Sequence, residues 1–436
     1  MKLLIYADAI TPRIDYTMQL VFGEIARISY QITQNIDTWQ QYEGVKIAYA
    51  KPEKSIKNIT LPFAHFVAAD LLYEKNIQPQ KIQLNKQQQI TFEQPHQAIF
   101  DPFAAIFWCV SRYEEYLPFQ PDKYGRFEAN QSFLYQNNLL QKAVVNEYAH
   151  YIEQRIQQVF HHFTFQKKSF QIETTLDIDS AFAYLHKGLT RTLLGIAGNL
   201  YYRQWSELKQ RFLTYLHFTP DKYNSYDWLD GVHQKYDVKP IYFFLLGDYA
   251  AYDKNLSHKS PHLQQLICRL AQNAEIGIHP SFASNEKPEK VSIEKLRLEK
   301  ITQKTITKSR QHYLRLKLPS TYRQLIAAGI TDDYSMGYGS EIGFRAGICM
   351  PFTWYDLLAE QATSLTVHPF AIMDATLHYY LQLSASQVPS YTQNVIQEVK
   401  KYGGILSLLF HNESVGNQAE WKNWQEVYEY FLDNKP

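Results

Sequence analysis

Asp177 and Asp179 stand one residue apart at the end of the segment Thr175-Leu176-Asp177-Ile178-Asp179. Side chains along a strand repeat with period two, so both carboxylates leave the same face. Neighbouring carboxylates repel and raise one another's pKa unless a cation or proton intervenes, which suits a metal ligand beside a general base. The same pair also caps helices and turns, and its spacing alone does not choose between these uses.

Three histidines fall at comparable positions. Glu275-Ile276-Gly277-Ile278-His279 reads as a short strand delivering an imidazole at its C-terminal end, with a glycine that permits close approach. Imidazole is the commonest nitrogen ligand of zinc-type ions. Ser309-Arg310-Gln311-His312-Tyr313 offers a guanidinium able to lock a carboxylate by paired hydrogen bonds, and a second imidazole. Leu408-Leu409-Phe410-His411 ends an apolar strand in a histidine able to donate a proton to a departing amine. Taken singly, each histidine reads equally as a core residue or a solvated helix end.

The elements that must position these groups are apolar runs alternating with helical patterns. Phe170, Ile172, Thr174 and Leu176 alternate with other side chains in the first run. Further strands are expected at 240–247, 274–279, 364–370 and 403–411, with helices between them, including one after Ser260-Pro261 and one capped by Ser292. Such alternation implies a mostly parallel sheet or barrel with its active site at the strand C-terminal ends. Before it, residues 1–48 predict a strand at 3–6, a helix at 16–28 and a strand at 45–48, while 99–117 reads as a buried helix without chemistry. The strongest helical period spans Val145 to Phe160 and fades through 161–169. A smaller α/β domain over 1–165, of unassigned role, is therefore expected before a second domain over 170–436; His161 and His162 read as solvated helix-end residues.

The 436-residue length suits two domains, and 45% hydrophobic with 20% charged residues suits a buried core. With 44 Lys and Arg against 43 Asp and Glu, the net charge of +1 supplies no long-range field for nucleic acid or anionic lipid. No run approaches the eighteen or so apolar residues of a membrane span, and Lys2 with a short apolar run broken by Asp8 does not make an export signal, so the cytoplasm is the expected location. Three dispersed cysteines exclude a disulfide framework and a CxxC metal site.

In this order and context, TLDIDSA, EIGIHPSF, SRQHYL and LLFHNE resemble the motifs of the polysaccharide deacetylase (NodB-homology) family over about residues 170–415. The resemblance implies a distorted (β/α) barrel, a divalent ion with Zn2+ the expected one, and an N-acetylated carbohydrate as substrate. It implies Asp177 as general base, Asp179 and His279 as metal ligands, His411 as acid, and Arg310 and Tyr313 positioning the base and lining the oxyanion site. GFRAG and HPFAIMD resemble the groove-lining region, which implies substrate contacts from Arg345 and Asp374.

One position departs from the pattern. The family's second histidine, four residues after the first, is Ala283 here. A catalytic zinc site uses three protein ligands with one position open. His312, standing where the third motif has proline, is expected to supply the missing ligand. Two other readings stay open: a DxD glycosyltransferase, which leaves the three histidines unused and finds no glycine-rich phosphate loop in 1–160, and a non-catalytic carbohydrate-binding protein, which Ala283 favours. Oligomeric state is not legible.

Overall fold

The structure, a computed structural model, describes residues 2–54, 62–94, 97–166, 168–416 and 418–435. Its N-terminal portion contains β1 (Leu3–Ala7), β2 (Tyr30–Thr33), β3 (Lys46–Ala50) and β4 (Ala64–Val67), a parallel sheet in the order β2-β1-β3-β4. A small antiparallel sheet follows from β5 (Ile82–Leu84), β6 (Ile90–Glu93) and β7 (Ala98–Phe100). The long helix Val144–Val159 then buries Val145, Tyr148, Ala149, Ile152 and Ile156, the stripe that its sequence period predicts.

The expected helix over 99–117 is corrected. Its first residues close the small sheet, a helix runs only over Pro102–Val110, and Arg112 turns the chain with a left-handed backbone (φ 53°). The aromatic spacing marks burial on every side of that short helix and not its length, since all nine of its residues are buried. The expected cap Ser292 likewise lies inside a helix that starts at Glu289.

From Gln171 onward, one nine-stranded sheet dominates: β8 (Gln171–Ile178), β9 (Ile241–Phe244), β10 (Glu275–Ile278), β11 (Lys308–Ser309), β12 (Asp332–Asp333), β13 (Phe352–Asp356), β14 (Gln361–Val367), β15 (Ile372–Met373) and β16 (Ile405–His411). Their order is β13-β14-β12-β11-β10-β9-β8-β16-β15, and every neighbouring pair is parallel except β13 with β14. Helices such as Pro261–Leu270, Glu289–Thr302 and Val388–Tyr402 bury one apolar face between successive strands.

This sheet curls. Although β9 and β10 separate β11 from β8, Arg310 just beyond β11 donates to Asp177 on β8 at 3.0 Å. The far side closes through backbone bonds from Phe370 N to Met336 O (3.2 Å) and Ala371 N to Ser407 O (3.2 Å). The result is a distorted (β/α) barrel with strand C-terminal ends gathered at one mouth.

The N-terminal portion is fastened to the barrel by one apolar core continuous through both. Polar ties cross the same junction: Arg13 to Glu360, Tyr16 Oη to Thr353 O at 2.7 Å, and Val145 N to Gly347 O at 2.8 Å. Among these, Arg345 is buried against Glu115, donating to its two oxygens at 2.9 and 2.6 Å.

Candidate metal centre

β8 places Asp177 and His411 side by side, because β8 and β16 run parallel in a register that pairs the two residues. Asp179 follows at the end of the same strand, on the face that period two dictates. His279 comes immediately after β10. Gly277 in β10 has no room for a side chain: a Cβ there would stand 2.5 Å from the Phe243 ring and 2.9 Å from the Lys308 carbonyl. A larger residue would push β10 from its neighbours and carry His279 away from the mouth.

His312 arrives differently. Its backbone N–H donates to Pro280 O at 3.2 Å and Gln311 N to Ser335 Oγ at 2.9 Å, so the turn after β11 is tied to both flanking segments. The next two residues, Tyr313 (φ 59°) and Leu314 (φ 53°), both take the left-handed backbone that side chains disfavour. Arg126, from the N-terminal portion, helps hold this turn by donating to Tyr313 O at 3.0 Å.

Asp179, His279 and His312 converge, with one ligand atom of each inside a common 4.8 Å. His279 Nε2 lies 3.2 Å from one Asp179 oxygen and His312 Nε2 lies 3.4 Å from the other. Both rings are aimed by the opposite nitrogen. His279 Nδ1 donates to Arg310 O at 2.6 Å, and His312 Nδ1 pairs with Asp253 at 2.9 Å. Fixing Nδ1–H in this way turns the Nε2 lone pair toward the shared centre, the usual arrangement around a ligated metal.

The donors fit a cation on a second ground: Asp179 Oδ1 is buried, and its neighbour His279 Nε2 at 3.2 Å is not aligned to hydrogen-bond it. Electrostatics agree. Burial raises the Asp179 pKa, but the two imidazoles outweigh it and hold the carboxyl well below its ordinary range. Burial lowers the His312 pKa, but Asp179 and Asp253 outweigh that and push it up to about 9. A proton thus sits on His312 at neutral pH where a divalent ion would replace it. Ala283 lies in the turn Phe282–Asn285 after His279 and offers no ligand, while the imidazole of His312 stands beside that of His279 with ring centres 5.0 Å apart.

Two further groups flank the centre. Asp177 is buried, and its second oxygen is 3.6 Å from His279 Nε2. Arg310, fully buried, spans the barrel interior to donate to Asp177 at 3.0 Å, Thr175 Oγ1 at 2.7 Å and Tyr334 O at 3.0 Å. His411 Nδ1 pairs with Asp374 at 2.8 Å, and Asp374 also accepts from His411 N at 2.7 Å. Burial lowers the His411 pKa, but the Asp374 carboxylate overcomes this and raises it well above the ordinary value.

Asp177, Asp179, His279, His312, Tyr313 and His411 line one cavity of about 270 Å³. Arg126, Tyr379, Tyr380 and Glu413 also stand in its wall, and none of these four is given a role by the sequence. Asp253 is also new: it stands in an irregular loop after β9, where only its acidity marks it.

Two expected substrate contacts are corrected. Arg345 does not reach this cavity; its guanidinium is spent on Glu115 and Gly337 O at the junction with the N-terminal portion, which an arginine in GFRAG does not reveal. Asp374 is fully buried and holds His411 instead of facing a ligand.

Residues 3–161 match the model of a protein family described as of unknown function, DUF7033. A comparison with curated proteins finds no match for the chain. Among solved structures, a candidate polysaccharide deacetylase from Mycobacterium smegmatis is 12% identical, with a TM-score of 0.40 over 61% of this chain and 85% of the other. A polysaccharide deacetylase from Bacillus cereus is 12% identical, with a TM-score of 0.30 over 61% of this chain and 89% of the other. A mutant of a CE4 family pseudoenzyme with restored enzymatic activity is 10% identical, with a TM-score of 0.27 over 62% of this chain and 63% of that one. Overlaps this loose say nothing about chemistry, so residues 3–161 are similar to a family without an assigned role and the activity of the chain is to be read from the side chains around Asp179.

Proposed function

We propose that the chain is a divalent-metal-dependent hydrolase that removes acetyl groups from N-acetylated amino sugars. The observation that carries this reading is the convergence of Asp179, His279 and His312, flanked by a carboxylate locked by Arg310 and an imidazole locked by Asp374. Two imidazoles and one carboxylate form a nitrogen-rich set that suits Zn2+. A bound ion supplies Lewis acidity toward the acetyl carbonyl and makes water a nucleophile near neutral pH.

The chain's own residues do the rest. Asp177 accepts the proton of the attacking water, and the Arg310 contact keeps that carboxylate aimed. As the carbon–nitrogen bond breaks, His411 donates a proton to the leaving amine, and acetate and the free amino sugar result. The high His411 pKa keeps it loaded with that proton. Tyr313, whose ring meets Tyr124 at 4.9 Å and Phe282 at 5.5 Å, belongs to an aromatic wall suited to a sugar face.

The test is acetate release from N-acetylglucosamine oligomers by zinc-loaded protein, with Asp177→Asn beside it. Hydrolysis by the wild type and its loss in a variant that keeps its zinc support the reading. Zinc binding without acetate release from any N-acetylated sugar would instead favour a binding protein.

A further inference from the structure

Between β8 and β9 the chain inserts a hairpin of two helices, Leu189–Tyr201 and Trp205–Tyr215. Polar groups tie the two helices together: Arg211 Nε donates to Asn199 at 3.0 Å, and Tyr215 Oη lies 3.3 Å from Thr192 Oγ1. Its apolar groups face out. Leu189, Leu193, Leu194 and Leu200 are exposed along the first helix, with Leu189 at 76%. The spacing of Trp205, Phe212 and Leu216 makes a second exposed stripe on the next helix. Tyr201 and Tyr202, 82% and 72% exposed, stand at the tip. So many large apolar side chains exposed on two adjacent helices mark a docking site.

Charge selects the occupant. Residues 187–216 carry five basic side chains against the single acid Glu207, whereas the whole chain carries 44 against 43, so the remainder is net acidic by three. Glu207 is itself covered by Lys222 and Tyr184. Arg203 at the tip and Lys209 on the outer stripe are exposed and carry no ion pair among the described residues. Leucines flanked by tyrosine, tryptophan and unpaired cations are the residue types of a lipid headgroup boundary. A second copy of the chain suits this face poorly, since a two-fold contact would bring together two surfaces that each carry five cations and one acid.

We propose that this hairpin docks on an anionic phospholipid bilayer, seating its leucines at the acyl boundary and its cations among the headgroups. The base of the hairpin is built to hold that load. Asp221, buried, accepts from the backbone N–H groups of Ala183, Tyr184 and Leu185 at 2.7, 2.8 and 3.0 Å, clamping the two ends together. Asn412, the neighbour of His411, donates to Ser180 O and Tyr223 O beside that clamp. The hairpin therefore springs from the same barrel end as the candidate metal centre.

Vesicle flotation of the full chain tests this independently of hydrolysis. Expected is comigration with vesicles containing phosphatidylglycerol, weaker comigration with pure phosphatidylcholine, and loss of partition by about tenfold for each large side chain removed in Leu193→Ser/Leu194→Ser/Trp205→Ser. Arg203→Glu/Lys209→Glu should reduce binding to the anionic vesicles and flatten its salt dependence. Circular dichroism matching the wild type shows that the variants fold, as the polar contacts between the two helices and the Asp221 clamp are untouched. No comigration of the wild type, equal partition onto neutral and anionic vesicles, or a wild-type dimer dissolved by the triple substitution while vesicle binding persists would overturn it.

Discussion

Nδ1 of His312 lies 2.9 Å from a carboxylate oxygen of Asp253, a residue 59 positions earlier in the chain. That bond decides which nitrogen of His312 faces Asp179, and hence whether the centre has two protein ligands or three. The same Asp253 oxygen accepts from Phe282 N at 2.8 Å, so the carboxylate also ties His312 to the turn that carries Ala283.

Asp253→Ala should therefore leave the ligand set intact but free the His312 ring. Zinc affinity is expected to fall by about 10–100-fold, the cost typical of losing an outer partner of a ligating histidine. Competition with a chromophoric chelator measures it, and an unchanged affinity would mean that Asp253 does not orient the ring.

Asp177→Asn should separate metal binding from proton transfer. Bound zinc is expected to remain, while kcat falls by roughly 10²–10⁴-fold. Metal analysis of the purified variant alongside an acetate assay reads both quantities.

The pH profile should respond to Asp374. His411 must be protonated to act as acid, its pKa is raised, and activity is therefore retained at neutral pH and lost as pH rises through that value. Removing the carboxylate that raises it, in Asp374→Asn, should move the alkaline limb of kcat to lower pH. Rates across the alkaline range check the sign, and a limb that stays in place would remove His411 from the acid role.

Arg345 is expected to matter for stability and not for substrate. Arg345→Ala leaves Glu115 buried with Arg112 as its remaining cation, and should destabilise the fold by about 3 kcal/mol, the lower end for breaking a buried pair. Urea unfolding measures the loss; KM of the folded fraction should not change.

How far the sequence carried these conclusions depends on whether a residue's role is local. Asp177, Asp179 and His279 sit at or just after strand ends, where period and apolar pattern reveal both place and direction. Arg310 and His312 were legible through their neighbours, although the double left-handed turn at Tyr313 and Leu314 was not. Asp253 and Arg126 act across long separations from irregular loops or turns, and a lone charge in a loop has no period to expose it; Asp374 stands out in HPFAIMD, but its hold on His411, 37 residues away, does not. Arg345 misled for the same reason: its partner Glu115 is 230 residues away. The overall charge of +1 concealed a basic, outward-apolar hairpin because the rest of the chain cancels it. The helices Leu189–Tyr201 and Trp205–Tyr215 fall among those expected between the first strands, but which face is solvated depends on tertiary packing.

The central claim is that His312 replaces the ligand missing at Ala283, and zinc titration of the wild type beside His312→Ala tests it most directly. One tight site per chain is expected in the wild type, with proton release below pH about 9 as the ion displaces the His312 proton. The variant should bind on the order of 100-fold more weakly or worse. Equal affinity and stoichiometry in the two proteins would contradict the account.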